Sequence, residues 1–428
     1  KGDSTCILAY TFSWPQTWTP ESPNRYKVEI SLQENGTTLH TVSEKFGFRS
    51  IELRRRDGIY LNGVKIKFKG ICRHSFNAVS GRALNEMISL IDVKAIKGMN
   101  MNAVRMSHYP PDDHFLDACD SLGLMVLDEL AGWHWHYDTN TGTKLVKEMV
   151  AFDGNHPSVV MWNNGNEGGH NTRLDPVFEE RDFQKRPVVH PWQLYNGMDN
   201  QHYINYNYGT ATHLYGHEIV FPTEFLHGLY DGGLGAGLED YWELMWRHPL
   251  SAGGFLWVYA DEGIERTDKN NMIDTDGNHA ADGVVGPRGE KEGSYGAIKE
   301  IWSPVYFQQR EITPAFDGTF TIENRYFFTN LKQCRFTAWF DKAPMPGQEQ
   351  TSKLLEIGMA APDIAPGDKG TLAVALPVNW KDYDALFITA SDPYDNTIFT
   401  WSWPITRPAK EAARIVKTDG ANPATYRE

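Results

Sequence analysis

Between about residues 51 and 303 the chain alternates short apolar runs with stretches of helical periodicity, and that alternation restricts its fold more than any other feature. The runs are 66–72, 103–106, 125–128, 159–163, 187–190, 202–206, 219–223 and 254–259, of which the sixth is the least regular. Helical segments fill the gaps, among them 87–97, where Ile88, Ile91, Ala95 and Ile96 share one face, and 111–121. Eight such strands, with room for helices between them, predict one closed (β/α)8 barrel, the TIM fold.

Outside this region the hydrophobic period falls to two. Arg25 to Leu32 alternates polar and apolar residues, Asn35-Gly36 marks a hairpin turn, and 41–48 reads as the return strand. Residues 1–50 hold too few strands for a complete sandwich, so this domain is expected to be partial or to lean on the rest of the chain. Residues 304–410 alternate again over 319–324, 333–340, 370–376, 385–390 and 397–403, which predicts a β-sandwich. The stretch 411–428 is a polar tail. A multidomain chain with a central barrel flanked by β-sandwich domains is the expected architecture.

The net charge of −14 comes with no long basic cluster, which argues against nucleic acid or an anionic membrane as partner. No apolar stretch reaches the roughly 20 residues of a membrane span. Aromatic residues make up 13% of the chain, with 14 Trp and 19 Tyr, a richness that suits a sugar site and equally suits an aromatic core. Cys6, Cys72, Cys119 and Cys334 are far apart and form no metal-type pair, so buried free thiols are expected. No signal peptide is recognisable, leaving a periplasmic, secreted or cytoplasmic location in a bacterium equally open. Homo-oligomerisation is open as well.

Two glutamates end apolar runs. Glu167 closes Val159-Val160-Met161-Trp162-Asn163-Asn164-Gly165-Asn166, and Glu224 closes Ile219-Val220-Phe221-Pro222-Thr223. A barrel displays its catalytic groups at the C-terminal ends of its strands, and two carboxylates on different strands are what cleavage of a glycosidic bond requires. A lone glutamate at a strand end is as easily a surface charge or a helix cap; it is the pair that favours catalysis. Arg73-His74 after the first run and Arg105-Met106-Ser107-His108-Tyr109 on the second put further polar groups at the same rim, where they need partners. Trp257, after the eighth run, reads as a sugar platform or a core tryptophan.

These blocks, in this order, resemble glycoside hydrolase family 2. Arg73-His74, Asn102 to Pro110, Val126-Leu127-Asp128-Glu129, Asn155 to Trp162, Gly165-Asn166-Glu167 and Gly253 to Trp257 carry the resemblance across some 200 residues. Trp18 to Tyr26 and Phe46 to Arg49 resemble the immunoglobulin-like domain that precedes the family's barrel, and Phe320 to Phe328 resembles the sandwich that follows it in the β-galactosidase branch. The resemblance implies a retaining exo-β-glycosidase acting on a terminal β-galactoside, with Glu167 as general acid/base and Glu224 as nucleophile. It further implies substrate-binding roles for His74, His108, Asn166, His227 and Trp257, with Arg105 ordering the nucleophile. A tyrosine on the nucleophile should come from the sixth strand, as Tyr208 or Tyr206.

The departures from the family pattern are as informative. The positions of two of the family's magnesium ligands hold Trp133 and Trp135, so no metal ligand is assigned and no cofactor is expected to be required, although magnesium stays open. The loop 131–144 is unusually aromatic, which points to a different leaving group or a substituted sugar. The family's N-terminal jelly-roll domain has no counterpart in this sequence, so a fragment whose own activity is open is expected. Rival readings are a β-glucuronidase, for which the Asn-x-Lys pattern after strand eight is lacking, a β-mannosidase, and a carbohydrate-binding homologue without catalysis.

Overall fold

A computed structural model of the chain describes residues 7–228, 237–342, 355–405 and 412, which divide into two units, 1–302 and 303–428. The first unit opens with a hairpin, β1 (Tyr26–Glu34) and β2 (Thr37–Phe46), turned at Asn35-Gly36 with both residues at positive φ. Val28, Ile30, Leu32, Leu39 and Val42 of this hairpin remain exposed. Its base is tied down by Trp18, fully buried with its indole N–H donating to the Asp120 carbonyl at 2.9 Å. A small meander follows, β3 (Ile51–Arg54), β4 (Gly58–Leu61) and β5 (Val64–Ile66).

The barrel strands come next: β6 (Phe68–Arg73), β7 (Ala103–Met106), β8 (Met125–Trp133), β9 (Val159–Asn166) and β10 (Val188–Val189). Then come the short β11 (Leu194–Tyr195), β12 (Met198–Asp199), β13 (Ile219–Val220) and β14 (Gly253–Leu256). Six of these form one curled parallel sheet in the order β10-β9-β8-β7-β6-β14. Parallel bridges Val220 to Ser251 and Phe225 to Leu256 carry the pairing from β14 to the β13 segment, which pairs in parallel with β12. Between β10 and β12 the link is irregular, through Trp192 N–H to the Asn200 carbonyl at 3.0 Å and Asn200 N–H to the Gln193 carbonyl at 3.3 Å. Every residue of β6, β7, β9 and β14 is buried, as expected of parallel strands covered on both faces.

Helices α1 (Glu86–Gly98), α2 (Asp113–Leu122), α3 (Thr139–Asp153), α4 (Asp175–Arg181), α5 (Tyr206–Tyr215), α6 (Leu238–Arg247) and α7 (Gly293–Ile301) connect the strands. Local chemistry sets where they start. Asn85 caps α1 by accepting from Ile88 N–H at 3.0 Å, and Asp138 caps α3 by accepting from Asn140 and Thr141 N–H. Val93 and Ile96 of α1, Phe115 and Leu116 of α2, Val146 of α3 and Trp242 of α6 share one core with Val104, Val126 and Trp162 of the strands.

One strand prediction is corrected. Residues 202–206 are not the sixth strand: the ladder is made by β12, the chain turns with Tyr203 at φ 48°, and α5 begins at Tyr206. Positive φ is costly for a bulky non-glycine residue such as tyrosine and turns the chain out of the strand direction, and this turn proves central to the site. After β14 a hairpin, β15 (Ile264–Arg266) with β16 (Met272–Asp274), is appended before α7.

The second unit has two antiparallel sheets. One is β17 (Val305–Phe307), β18 (Thr319–Asn324) and β21 (Lys369–Ala373), and the other is β20 (Leu355–Met359), β19 (Arg335–Asp341), β22 (Ala385–Ser391) and β23 (Thr397–Pro404), each in that spatial order. Phe320, Ile322, Phe336, Ala338, Phe340, Leu386, Ile388 and Trp403 fill their shared core, following the period of two read from the sequence. Apart from Ala412, the polar tail lies outside the described residues, as does Cys6. Cys72, Cys119 and Cys334 are buried free thiols. No helix among the described residues is long and apolar enough to cross a membrane.

Candidate active site

Alternation along β8 decides which of its two adjacent acids reaches the barrel interior. Asp128 packs on the outer side near Asp153 of α3, and burial holds its carboxyl well above the usual range. Glu129 points inward, where Arg105 of β7 meets it with Nε at 2.8 Å from Oε2. Arg105 is fully buried and needs acceptors for its whole fork. Its Nη1 donates to Glu224 Oε1 at 2.6 Å and to the Thr223 carbonyl at 3.3 Å, and its Nη2 donates to Asn166 Oδ1 at 2.7 Å. Burial alone would lower the guanidinium's affinity for its proton; Glu129 and Glu224 outweigh it and raise the pKa. Glu129 mirrors this: burial would raise it, but Arg105 and His108 bring it below the ordinary value.

Around this hub the two strand-end glutamates come together. Carboxylate oxygens of Glu167 and Glu224 and a ring nitrogen of His202 lie within 4.8 Å of one another. Glu224 is 2% exposed and also accepts from the Tyr203 hydroxyl. Burial, reinforced by Glu224, raises the Tyr203 pKa, so that hydroxyl stays a donor. Glu167, just beyond β9, sits at φ 42° on a turn that only Gly165 allows. A Cβ on Gly165 would stand 2.1 Å from the Gly169 carbonyl oxygen. The Glu167 carboxylate accepts from His202 Nδ1 at 3.0 Å and from the Trp133 indole N–H at 2.8 Å. Those two bonds, the His202 bond foremost, outweigh partial burial and lower the Glu167 pKa to about 2.

His202 is held from both sides. Its Nε2 lies 2.9 Å from Thr223 Oγ1, which in turn lies 3.2 Å from the Asn200 carbonyl oxygen. Its Nδ1 faces Glu167 Oε1 at 3.0 Å and Glu224 Oε2 at 3.4 Å.

A wall of rings flanks the glutamates. His108 stacks on Trp257 at 5.3 Å with 12° between planes, and His74 meets both rings edge-on. His108 Nδ1 faces Glu129 Oε1 at 3.0 Å, leaving Nε2 directed toward Glu224 Oε1, 3.9 Å away. Burial, with His108 nearby, lowers His74 to about 3, and its Nδ1 is bonded to the Tyr109 hydroxyl at 3.1 Å. His227 lies against Tyr203 and Trp257. Behind the wall are two acids. Asp282 accepts from the Trp257 indole at 3.0 Å, Glu262 lies 3.6 Å from His74, and burial raises them to about 6 and about 7.

The description "Glycosyl hydrolases family 2, TIM barrel domain" matches residues 51–282, and "Glycosyl hydrolases family 2" matches residues 2–49. The chain belongs to glycosyl hydrolases family 2. A beta-galactosidase of Priestia megaterium is 29% identical over 413 residues, covering 85% of this chain and 38% of that protein. The chain therefore spans well under half the length of this curated relative. A family 2 member from Bacteroides cellulosilyticus superposes with a TM-score of 0.55 at 20% identity, covering 91% of this chain and 53% of its own. A beta-glucuronidase of Bacteroides uniformis does so at 0.55 and 19%, covering 91% of this chain and 55% of its own. At such identity the two structures speak for the fold.

Within this family 2 barrel, Glu167, Glu224, Arg105, His108, His74, Asn166, His227 and Trp257 form one connected cluster at the C-terminal ends of the strands. The tyrosine is the correction. The hydroxyl on Glu224 belongs to Tyr203, whereas Tyr206 starts α5 with its ring on Tyr241, and the Tyr208 side chain lies outside the described residues. Tyr203, His202 and Glu129 are members of this cluster that the sequence pattern does not single out. Only Glu129 carried a local signal, the inward parity of a strand whose neighbouring acid faces out.

Two groups of acids and histidines among the described residues could hold a metal: Asp117, Asp120 and His156, and Glu167, His202 and Glu224. The second is already satisfied by Arg105, Tyr203 and Trp133. An indole and two imidazoles beside Glu167 do not suit magnesium, which takes oxygen ligands in octahedral geometry.

Proposed function

We propose that the chain carries the catalytic centre of a retaining exo-β-glycosidase acting on terminal β-galactosides. The observation that carries this is the placement of Glu167 and Glu224 about one imidazole, His202 Nδ1 lying 3.0 Å from a Glu167 oxygen and 3.4 Å from a Glu224 oxygen. Retention needs a gap of about 5–5.5 Å, and an inverting pair stands at roughly 6.5–9.5 Å to admit a water. A Glu224 oxygen attacks the anomeric carbon as the bond to the leaving oxygen breaks, and Glu167 delivers its proton to that oxygen. Glu167 then takes a proton from water, the water oxygen attacks the same carbon, and Glu224 is released with the β configuration kept.

The neighbours support this division. Arg105 and Tyr203 orient the two oxygens of Glu224. His202 Nδ1, 3.0 Å from Glu167, is placed to share the proton that Glu167 must deliver. Asn166, its Oδ1 taken by Arg105, would meet the sugar's C2 substituent with its amide nitrogen. His74, His108 and His227 would meet hydroxyls, and Trp257 would take the C–H face of the ring. The partner is carbohydrate, no step is routed through a metal, and the flanking β-segments would belong to immunoglobulin-like domains at 1–50 and 304–410 around a barrel at 51–303.

A β-glucuronidase reading meets an obstacle in Asp282 and Glu262. Two acids behind the ring wall oppose a sugar carboxylate, and Lys269, the nearest candidate cation in sequence, is exposed on the outer hairpin. β-Mannosides remain a matter of a few hydroxyl contacts, which a panel of nitrophenyl glycosides separates. Replacing Glu224 with Ala should abolish turnover, and added azide should restore a glycosyl azide of inverted configuration. Retained hydrolysis in that variant removes Glu224 from the role, and sugar binding without turnover by the parent protein supports a binding homologue instead.

A further inference from the structure

We infer that Trp133, Trp135 and Trp192, with His134 among them, form the subsite for the leaving half of the substrate, and that this half presents a flat apolar face, either a second pyranose or an arene. The inference rests on the acid/base role proposed for Glu167. It goes further in naming what that residue's proton is delivered to.

Three indoles exposed together are an unusual expense of apolar surface: Trp133 is 61% exposed, Trp135 85% and Trp192 44%. They come from two loops. Trp133 ends β8 and bridges to Trp135 across a tight turn, and Trp192 follows β10. The His134 ring joins them, 4.9 Å from Trp133 at 34° and 6.4 Å from Trp192 at 76°.

Their position gives the assignment. The Trp133 indole N–H lies 2.8 Å from Glu167 Oε2, and His134 Nδ1 lies 3.0 Å from the Glu167 carbonyl oxygen. A group protonated by Glu167 must bring its oxygen to that carboxyl, so the rest of the leaving group falls among these rings. The reacting sugar's own platform, Trp257, stands apart on the wall with His74 and His108.

The backbone that carries Trp133 and Trp135 is held in place. Gly132 packs backbone to backbone against the turn carrying Glu167, so closely that a Cβ on it would stand 2.7 Å from the Gly169 carbonyl oxygen. The chemistry of the rim is then selective. Indole and imidazole faces stack on C–H or π faces, and a leaving group as small as methanol would reach none of them.

The test compares kcat/KM for methyl, nitrophenyl and disaccharide β-galactosides in the parent chain and in Trp135→Ala, Trp192→Ala and Trp135→Tyr. The expected result is a fall of roughly five- to tenfold in the nitrophenyl-to-methyl and disaccharide-to-methyl ratios in both alanine variants, with Trp135→Tyr restoring much of it. A fall in the disaccharide ratio alone assigns the platform to a sugar, and in the nitrophenyl ratio alone to an arene. Unchanged ratios in variants that melt like the parent overturn the subsite and leave the glutamate pair intact. If the parent cleaves no glycoside at all, the catalytic reading falls and the subsite with it.

Discussion

Replacing Trp133 with Phe keeps an aromatic ring at the rim and removes one hydrogen bond, the indole N–H to Glu167 Oε2 at 2.8 Å. That bond stabilises only the ionised carboxylate, and with His202 it holds the Glu167 pKa down at about 2. A hydrogen bond to a charged group contributes about 1.5–3 kcal/mol, less where water competes, and about 1.4 kcal/mol corresponds to one pH unit. Removing it should raise the Glu167 pKa by about one unit. The reading is the pH dependence of kcat/KM, which follows the free enzyme through the first bond cleavage. Its basic limb should move to higher pH by about that amount for a leaving group that needs a proton, and stay flat for a strongly activated aryl group that does not. The stability sign is fixed by the same contact. A carboxyl held below its ordinary 4.5 stabilises the fold above that pH and loses this as pH falls toward 2. The melting difference between parent and variant should therefore narrow below about pH 4. A basic limb that stays put, or moves down, in a folded variant refutes the assignment of that limb to Glu167.

Tyr203→Phe removes the hydroxyl on Glu224, and kcat should drop by about tenfold or more with little change in melting temperature. Gly165→Ala puts a Cβ 2.1 Å from the Gly169 carbonyl oxygen at a position with φ 75°; a loss of about 2 kcal/mol or more in urea unfolding, together with most of the activity, is expected. Arg105→Ala leaves Glu129 and Glu224 buried without their cation, which should cost about 3–5 kcal/mol. Arg105→Lys should recover more of the stability than of the turnover, because an ammonium restores charge but not a fork that reaches Glu129, Glu224 and Asn166 together.

The residues that sequence reading found are those whose place a strand dictates. Glu167 and Glu224 end apolar runs, Arg105 lies within β7, and His74, His108 and Trp257 follow within one or two residues of a strand end, so a barrel topology carries each to the same rim. Tyr203 and His202 escaped for the opposite reason. They sit in an irregular turn after a two-residue strand, and the position of that turn is set by hydrogen bonds to distant backbone, such as Tyr203 N–H to the Glu224 carbonyl at 2.9 Å. Their neighbours in sequence carry no periodicity from which such a placement could be read. The expected strand at 202–206 failed at the same spot, since hydrophobicity alone does not register a residue at positive φ.

What distinguishes the two glutamates chemically is the permanence of their partners. Glu224 is bound by the Tyr203 hydroxyl and by the fully buried Arg105 guanidinium, which no substrate can displace without unpacking the barrel. Glu167 is bound on one side by an indole that is 61% exposed, within reach of whatever enters beside it. A leaving group that stacks on the rim and draws Trp133 away removes a donor from the Glu167 carboxylate, and each lost donor favours the proton's return. The group about to depart would then promote the protonation that its own departure needs. A small leaving group that never touches the indole would leave Glu167 ionised and react slowly, so Trp133→Phe should narrow the gap in kcat/KM between disaccharide and methyl glycosides at neutral pH.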